Sequence, residues 1–270
     1  MKRTATYLLA LAFVVPAFAQ MRDNRDPKLS CDGRENWNGD RVQHCEIFER
    51  TMPAGGQLNI DAGKNGGVSV RGWTQNNVLV RAKVQTWAPT EAEAKSLVSQ
   101  IRLETAGGQI RSDAPSFDSG RGYSVSFEVF VPHNTNVGMQ ANNGGIHIED
   151  VRGDIHFDTR NGGVHLQRVA GDVRGQTTNG GLHIELMGDR WDGGELNART
   201  TNGGVKLVVP ENYSARLEVS TVNGGMNVDI PLKVTGKLTR DLNVTLGNGG
   251  PLIRLATTNG GINISRKSGV

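Results

Sequence analysis

The sequence predicts an all-β chain wound as a single-stranded β-helix, or β-solenoid, with one short helix at about 90–101. Three observations carry this reading. Asn-Gly-Gly occurs eight times, starting at Asn65, Asn143, Asn161, Asn179, Asn202, Asn223, Asn248 and Asn259, and from Asn143 the intervals are 18, 18, 23, 21, 25 and 11 residues. Self-similarity near such a period marks a stacked repeat architecture. Each copy joins runs of alternating apolar and polar residues, and a period of two places alternate side chains on opposite faces of a strand. The residue two before the asparagine is repeatedly small: Ala141, Thr159, Thr177, Thr200, Thr221 and Thr257. An antiparallel meander or sandwich is the alternative, because Asn-Gly is also a hairpin turn.

Residues 1–19 read as a signal peptide. Lys2 and Arg3 precede an apolar stretch from Tyr7 to Val15, and Ala17 and Ala19 suit cleavage before Gln20. The apolar run is short for a membrane span of about 30 Å, and Gln20 is not the cysteine a lipid anchor requires. The mature chain is expected in the periplasm or secreted. Without Lys2 and Arg3, the 30 basic residues become 28 against 27 acidic ones. That balance, with few aromatics and no block of like charges, gives no nucleic-acid footprint.

Residues 20–45 read as an irregular lead-in or cap. Cys31 and Cys45 are expected to pair in an oxidising compartment. Closing a loop of about 15 residues would restrict the unfolded chain by roughly 3 kcal/mol. The enclosed segment fits a calcium loop poorly, since Arg34 stands where the first carboxylate belongs. The solenoid is expected over 46–267. Leu58/Ile60, Val68/Val70 and Val78/Val80/Ala82/Val84 alternate as strands. Thr90 with Glu93 forms a capping box that starts the helix. Leu97, Val98 and Ile101 give it an apolar face, which should lie against the first sheet or seal one end. Strands resume at Ile101–Leu103 and Gln109–Arg111, a loop follows around Pro115, and Val125, Phe127 and Val129 form another strand.

From Val137 the units align residue on residue. Ile146-His147-Ile148, Val164-His165-Leu166, Leu182-His183-Ile184, Val205-Lys206-Leu207, Met226-Asn227-Val228 and Ile262-Asn263-Ile264 each follow an Asn-Gly-Gly. The motif suits a corner, because asparagine tolerates left-handed backbone angles and glycine adopts positive φ freely. Stacked coils would place successive asparagines about 4.8 Å apart, close enough for an amide ladder.

The Thr-x-Asn-Gly-Gly repeats and the Trp-Ala-Pro-Thr-Glu-Ala-Glu-Ala helix resemble the bacterial "putative adhesin" or DUF4097 family, over about Gly66 to Arg266. The resemblance implies a right-handed β-helix in an exported envelope protein. The family has no established activity, so it brings no catalytic residue and no cofactor.

His147, His165 and His183 share the polar slot after Asn-Gly-Gly and should form an outward column. Three imidazoles in a row could hold zinc or copper or sense pH. Ser69, Lys206, Asn227 and Asn263 occupy the slot elsewhere, which makes a plain solvent-facing position the simpler reading. Arg152-Gly153-Asp154 spells a tripeptide that integrins read. Ala170-Gly171-Asp172 fills the same place one unit later, so Gly-Asp reads as a structural turn between half-coils. Catalytic β-helices need converging carboxylates or an Arg/Lys/Asp cluster. Here Glu149, Asp150, Asp158, Asp172 and Glu185 are scattered among basic residues, and no G-x-S-x-G or H-E-x-x-H occurs. The expected function is therefore a non-enzymatic envelope solenoid acting by surface contact on a glycan or envelope protein, without cofactor or membrane span, and as a monomer. The opposing reading is a polysaccharide lyase or hydrolase with a groove beside Trp191, in the longer unit at Gly188–Gly194.

Overall fold

A computed structural model describes residues 29–31, 41–230 and 240–267. The expected signal peptide and its cleavage point lie outside the described residues. The N-terminal part comprises β1 (Val42–Pro53), β2 (Gln57–Asp61), β3 (Val68–Trp73), β4 (Asn77–Ala88), α1 (Glu91–Val98), β5 (Arg102–Ala106), β6 (Gln109–Asp113) and β7 (Gly122–Pro132). Five coils follow. They pair β8 (Asn136–Asn143) with β9 (Ile146–Glu149), β10 (Arg152–Asn161) with β11 (Val164–Gln167), and β12 (Ala170–Asn179) with β13 (Leu182–Glu185). Then come β14 (Glu195–Asn202) with β15 (Val205–Val209), and β16 (Ala215–Asn223) with β17 (Met226–Asp229). The chain ends with β18 (Asp241–Leu246) and a last coil of β19 (Leu252–Asn259) and β20 (Ile262–Arg266).

Each coil gives one strand to each of two 10-stranded sheets. The first sheet runs β1-β4-β7-β3-β9-β11-β13-β15-β20-β17 and the second β18-β16-β19-β14-β12-β10-β8-β2-β6-β5. Coil-to-coil pairing is parallel and in repeat register, as in Phe157↔Gly175 and Thr159↔Thr177. The expected solenoid is thus the fold. Antiparallel pairing is confined to its ends, where β1, β4 and β7 cap one end and β18 covers β16 at the other.

The inward apolar positions make one continuous core. Ile148, Leu166, Ile184, Leu207 and Ile264 from the first sheet and Ile155, Val173, Leu196, Leu217 and Ile253 from the second are all fully buried. Burying each such side chain contributes about 1.5–3 kcal/mol. The helix is shorter than expected, ending at Val98, but Thr90 caps it by accepting from the Glu93 amide. It packs on β4 and β1, where the Thr86 hydroxyl donates to the Ala94 carbonyl at 2.7 Å. Cys31 and Cys45 are disulfide-bonded, with Cys45 held in β1.

Stack order departs from chain order. The last coil sits between the β14/β15 coil and the β16/β17 coil. The asparagine ladder accordingly runs Asn65, Asn143, Asn161, Asn179, Asn202, Asn259, Asn223, and from Asn143 on each side-chain amide donates to the oxygen of the asparagine before it in this order at 2.7–3.1 Å. Asn248 stands outside it, in the turn before β19, where its backbone N–H donates to Ser214 Oγ.

The corner works differently from expectation. No ladder asparagine is left-handed; among the described residues the only non-glycine ones with positive φ are Asp150 and Arg168, at the opposite corner. From Asn143 onward the ladder glycines also keep ordinary φ. The first glycine of each motif is required by contact instead. A Cβ at Gly144, Gly162, Gly180, Gly203, Gly224 or Gly260 would lie 2.0–2.1 Å from the carbonyl oxygen of the glycine one coil away. The Gly-Asp pair likewise is no turn between half-coils: Gly153 and Gly171 lie inside β10 and β12, stacked so closely that a Cβ on Gly171 would meet the Gly153 oxygen at 2.1 Å.

The small residue before the motif is buried as expected, and its threonines do more than save space. The hydroxyls of Thr159, Thr177, Thr200, Thr257 and Thr221 donate to the carbonyls of Gly144, Gly162, Gly180, Gly203 and Gly260 at 2.7–2.9 Å. Thr177→Val keeps the shape and removes that donor, so it is expected to cost about 1–2 kcal/mol by chemical denaturation, with Thr177→Ser recovering most of it.

Candidate binding groove

The polar slot after each motif forms a column on the outer face of the first sheet. Register pairs carry it through Glu128, Ser69, His147, His165, His183, Lys206, Asn263 and Asn227. Parallel in-register strands put identical slots one rung apart, which is why sequence spacing alone aligns the histidines. His147 and His165 meet edge to face with centroids 5.1 Å apart, and His165 and His183 stack at 4.2 Å. Among the described residues no group of three or more His, Cys, Asp or Glu could hold a metal ion.

Burial and the neighbouring His165 hold the His147 imidazole below its ordinary value, with Arg71 adding to this and Glu149 opposing it. His183 is held down by burial, then by His165 and Lys206, against Glu185. The Nε2 atom of His147 is buried with no hydrogen-bond partner, its closest carboxylate being Glu149 at 3.6 Å.

Two residues further along each strand a second outward column runs Arg71, Glu149, Gln167 and Glu185. Its carboxylates are engaged. Arg168 binds Asp150 through two contacts of 2.6 and 2.8 Å and also reaches Glu149, while Lys267 and Gln167 hold Glu185 at 2.6 and 3.2 Å. At the β7 end, buried Glu128 pairs with Arg81, which also binds Glu49 at 2.7 Å.

Beside the histidine column lies an open groove of about 900 Å³. Its floor is the second glycine of successive motifs, Gly67, Gly145, Gly163, Gly181, Gly204 and Gly261. Its wall is Ser69, His147, His165, His183, Lys206 and Asn263, and Leu29 and Phe127 stand at the β7 end. The groove therefore crosses seven strands from β7 to β20, or roughly 29 Å at about 4.8 Å per strand.

The other candidates do not join this site. Arg152 pairs with Asp192, so the Arg-Gly-Asp arginine is already bound within the fold. Trp191 is buried, its indole nitrogen donating to the Gly171 carbonyl at 3.1 Å. That removes the sugar-stacking ring which the enzymatic reading placed at Gly188–Gly194. From sequence the eight motif positions read as turns, and the glycine floor is not distinguished from the glycine at the stack contact. The one available signal was that two adjacent glycines recur where a single one would satisfy the corner.

Among the described residues no helix is long and apolar enough to cross a membrane. A family model described as Toastrack DUF4097 matches residues 51–265. The fold is similar to a "putative cell adhesion protein" from Clostridium sporogenes at 11% identity, covering 84% of this chain and 100% of that one with a TM-score of 0.46. It is also similar to a "putative adhesin" from Bacteroides fragilis (12% identity, 82% and 97% covered, TM-score 0.34). A "putative lipid binding protein" from Parabacteroides distasonis gives 11% identity, 82% and 96% covered, and a TM-score of 0.28. No curated protein matches the chain.

Proposed function

Because the chain belongs to the Toastrack DUF4097 family, we propose that it is an exported, non-enzymatic solenoid of the bacterial envelope that acts by surface contact through the histidine-walled groove. The observation that carries this reading is the groove itself, an open channel built by the repeat along seven strands. Repeat proteins work through such extended surfaces. Export is supported by the Cys31–Cys45 disulfide, since disulfides persist in oxidising compartments, and by the basic, apolar and small-residue order of the first nineteen positions. The antiparallel strands β1 and β4 at one end and β18 on β16 at the other support a monomer, because they cover strands that would otherwise offer open edges.

The test is retention on isolated bacterial envelope material. A Cβ at position 163 meets nothing nearer than 3.5 Å, so Gly163→Val is the substitution chosen to narrow the groove, with circular dichroism checking that the stack holds. The native protein is expected to sediment with the envelope fraction, and Gly163→Val to lose at least about tenfold in retention. Retention indifferent to that substitution would remove the groove from the function. Release of reducing ends from envelope glycans by the purified protein would replace contact with catalysis.

A further inference from the structure

Resting on that reading, we propose that the groove takes a linear carboxylated polysaccharide laid along the coil axis, its carboxylates facing the imidazole column and Lys206. The first support is steric. The first glycine of each ladder motif is compelled by the stack; of the second glycines, Gly67 and Gly145 are close as well, a Cβ there meeting backbone oxygen at 2.9 and 3.0 Å, but others are not. A Cβ at Gly163 or Gly261 would meet its nearest neighbour at 3.5 Å, an ordinary contact, and one at Gly181 or Gly204 at 3.2 Å. None of these four glycines has a left-handed φ. The fold therefore leaves room for a side chain at Gly163 and Gly261, yet no unit carries one, and any side chain there would fill the groove. A bare backbone floor suits an occupant that lies flat against it.

The second support is shape. A channel of roughly 29 Å, open along its length, matches an extended polymer better than a compact small molecule. The third is charge. On the β9 and β13 strands the carboxylates of Glu149 and Glu185 are already met by Arg168 and Lys267. Glu128 on β7 is met by Arg81. On β15, Lys206 has no carboxylate partner among the described residues, and the buried Nε2 of His147 makes no hydrogen bond, with Glu149 at 3.6 Å. The groove wall thus offers nitrogen-bearing side chains on five successive strands, β9, β11, β13, β15 and β20, and no free anion. β11 adds only His165, β3 adds Arg71 beside Glu149, and β20 adds uncharged Asn263.

Protonation sets the sign of the pH response. Charging stacked rings beside Lys206 is opposed by mutual repulsion and by burial. Because His147 and His183 are held below their ordinary value in the fold, the free protein loses stability as pH falls below that value toward the lowered ones. A polyanion in the groove offsets the repulsion, so it binds more tightly as the column charges and returns the lost stability.

The experiment is calorimetric titration of the mature protein with a deca-galacturonate, a neutral deca-galactan and a decathymidylate. The uronate carboxylates stay ionised at both about pH 7.5 and about pH 5.5, so a pH response reports the protein. Affinity for the uronate is expected to rise at least about tenfold on acidification and to weaken with salt, while the galactan binds weakly at both values. The variant His147→Asn/His165→Asn/His183→Asn should abolish the rise. Asparagine already fills this slot at Asn227 and Asn263, so the fold should tolerate it, as circular dichroism would verify. Equal binding of galactan or decathymidylate, an unchanged pH response in the triple variant, or no binding of the uronate at either pH would each overturn the proposal. Those outcomes leave envelope retention and its loss in Gly163→Val untouched, so failure of the ligand class is separable from failure of the contact role.

Discussion

Gly162→Ala is expected to destabilise the chain by about 3 kcal/mol or more, while Gly163→Ala, one residue on, changes stability by less than about 1 kcal/mol. The two glycines share a motif and a corner, and neither has a left-handed φ, so conformational freedom does not separate them. Contact does. A Cβ on Gly162 would lie 2.1 Å from the Gly144 oxygen and 2.4 Å from its carbonyl carbon. Both are backbone atoms of the next coil, which cannot swing aside as a flexible side chain would. Relief requires separating two coils locally, and that stretches the Asn161-to-Asn143 ladder bond at 2.8 Å and the Thr159-to-Gly144 bond at 2.8 Å. At Gly163 the added methyl meets only the Gly181 oxygen at 3.5 Å, and alanine restricts the unfolded chain slightly. Urea denaturation of the two variants beside the native protein measures the difference. Equal losses in both would show that the motif acts through backbone flexibility instead of through stacking distance.

That pair of residues marks where the sequence was legible and where it was not. Alternation, the 18-residue register and the inward threonine each report on one strand and its two faces, so they place core and surface correctly: Ile146 and Ile148 inside, His147 outside. The histidine column was legible for the same reason, because parallel register turns equal spacing into adjacency. What lies between coils was harder to see. Whether Gly162 needs its bare Cα, and whether the Thr177 hydroxyl has a carbonyl to meet, depends on atoms 15 to 18 residues away along the chain. Asp150 and Arg168 bend the opposite corner, yet neither has the composition of a turn former strong enough to have displaced Gly153-Asp154 from that role. The groove carries the same lesson. Its walls were read from the polar slot, while its floor is the absence of side chains at positions already assigned to a corner.

Deleting residues 251–270 is expected to unfasten everything from β16 onward, a larger effect than the loss of one terminal coil. In a solenoid stacked in chain order, the last coil has one neighbour and its removal breaks one interface. Here β19 pairs with both β14 and β16, and β20 with both β15 and β17. The deletion removes buried Ile253, Leu255, Ile262 and Ile264, each worth about 1.5–3 kcal/mol, and it exposes apolar surface on both coils that they separated. It also cuts the asparagine ladder at Asn259, which bridges Asn202 and Asn223. The β16/β17 coil could in principle drop one rung onto β14/β15, since its motif keeps the same register. The segment before it is already anchored: Tyr213 is buried and the Ser214 amide donates to the Asp189 carbonyl at 2.7 Å, contacts that a rigid one-rung shift of β16 would have to break. Hydrogen exchange read by mass spectrometry should therefore show residues 215–229 and 241–246 losing protection in the truncated chain while 146–185 keep theirs. Retained protection across 215–229 would mean that the coil had closed the gap, and that the interleaved order is a preference of the intact chain instead of a requirement for folding its C-terminal part.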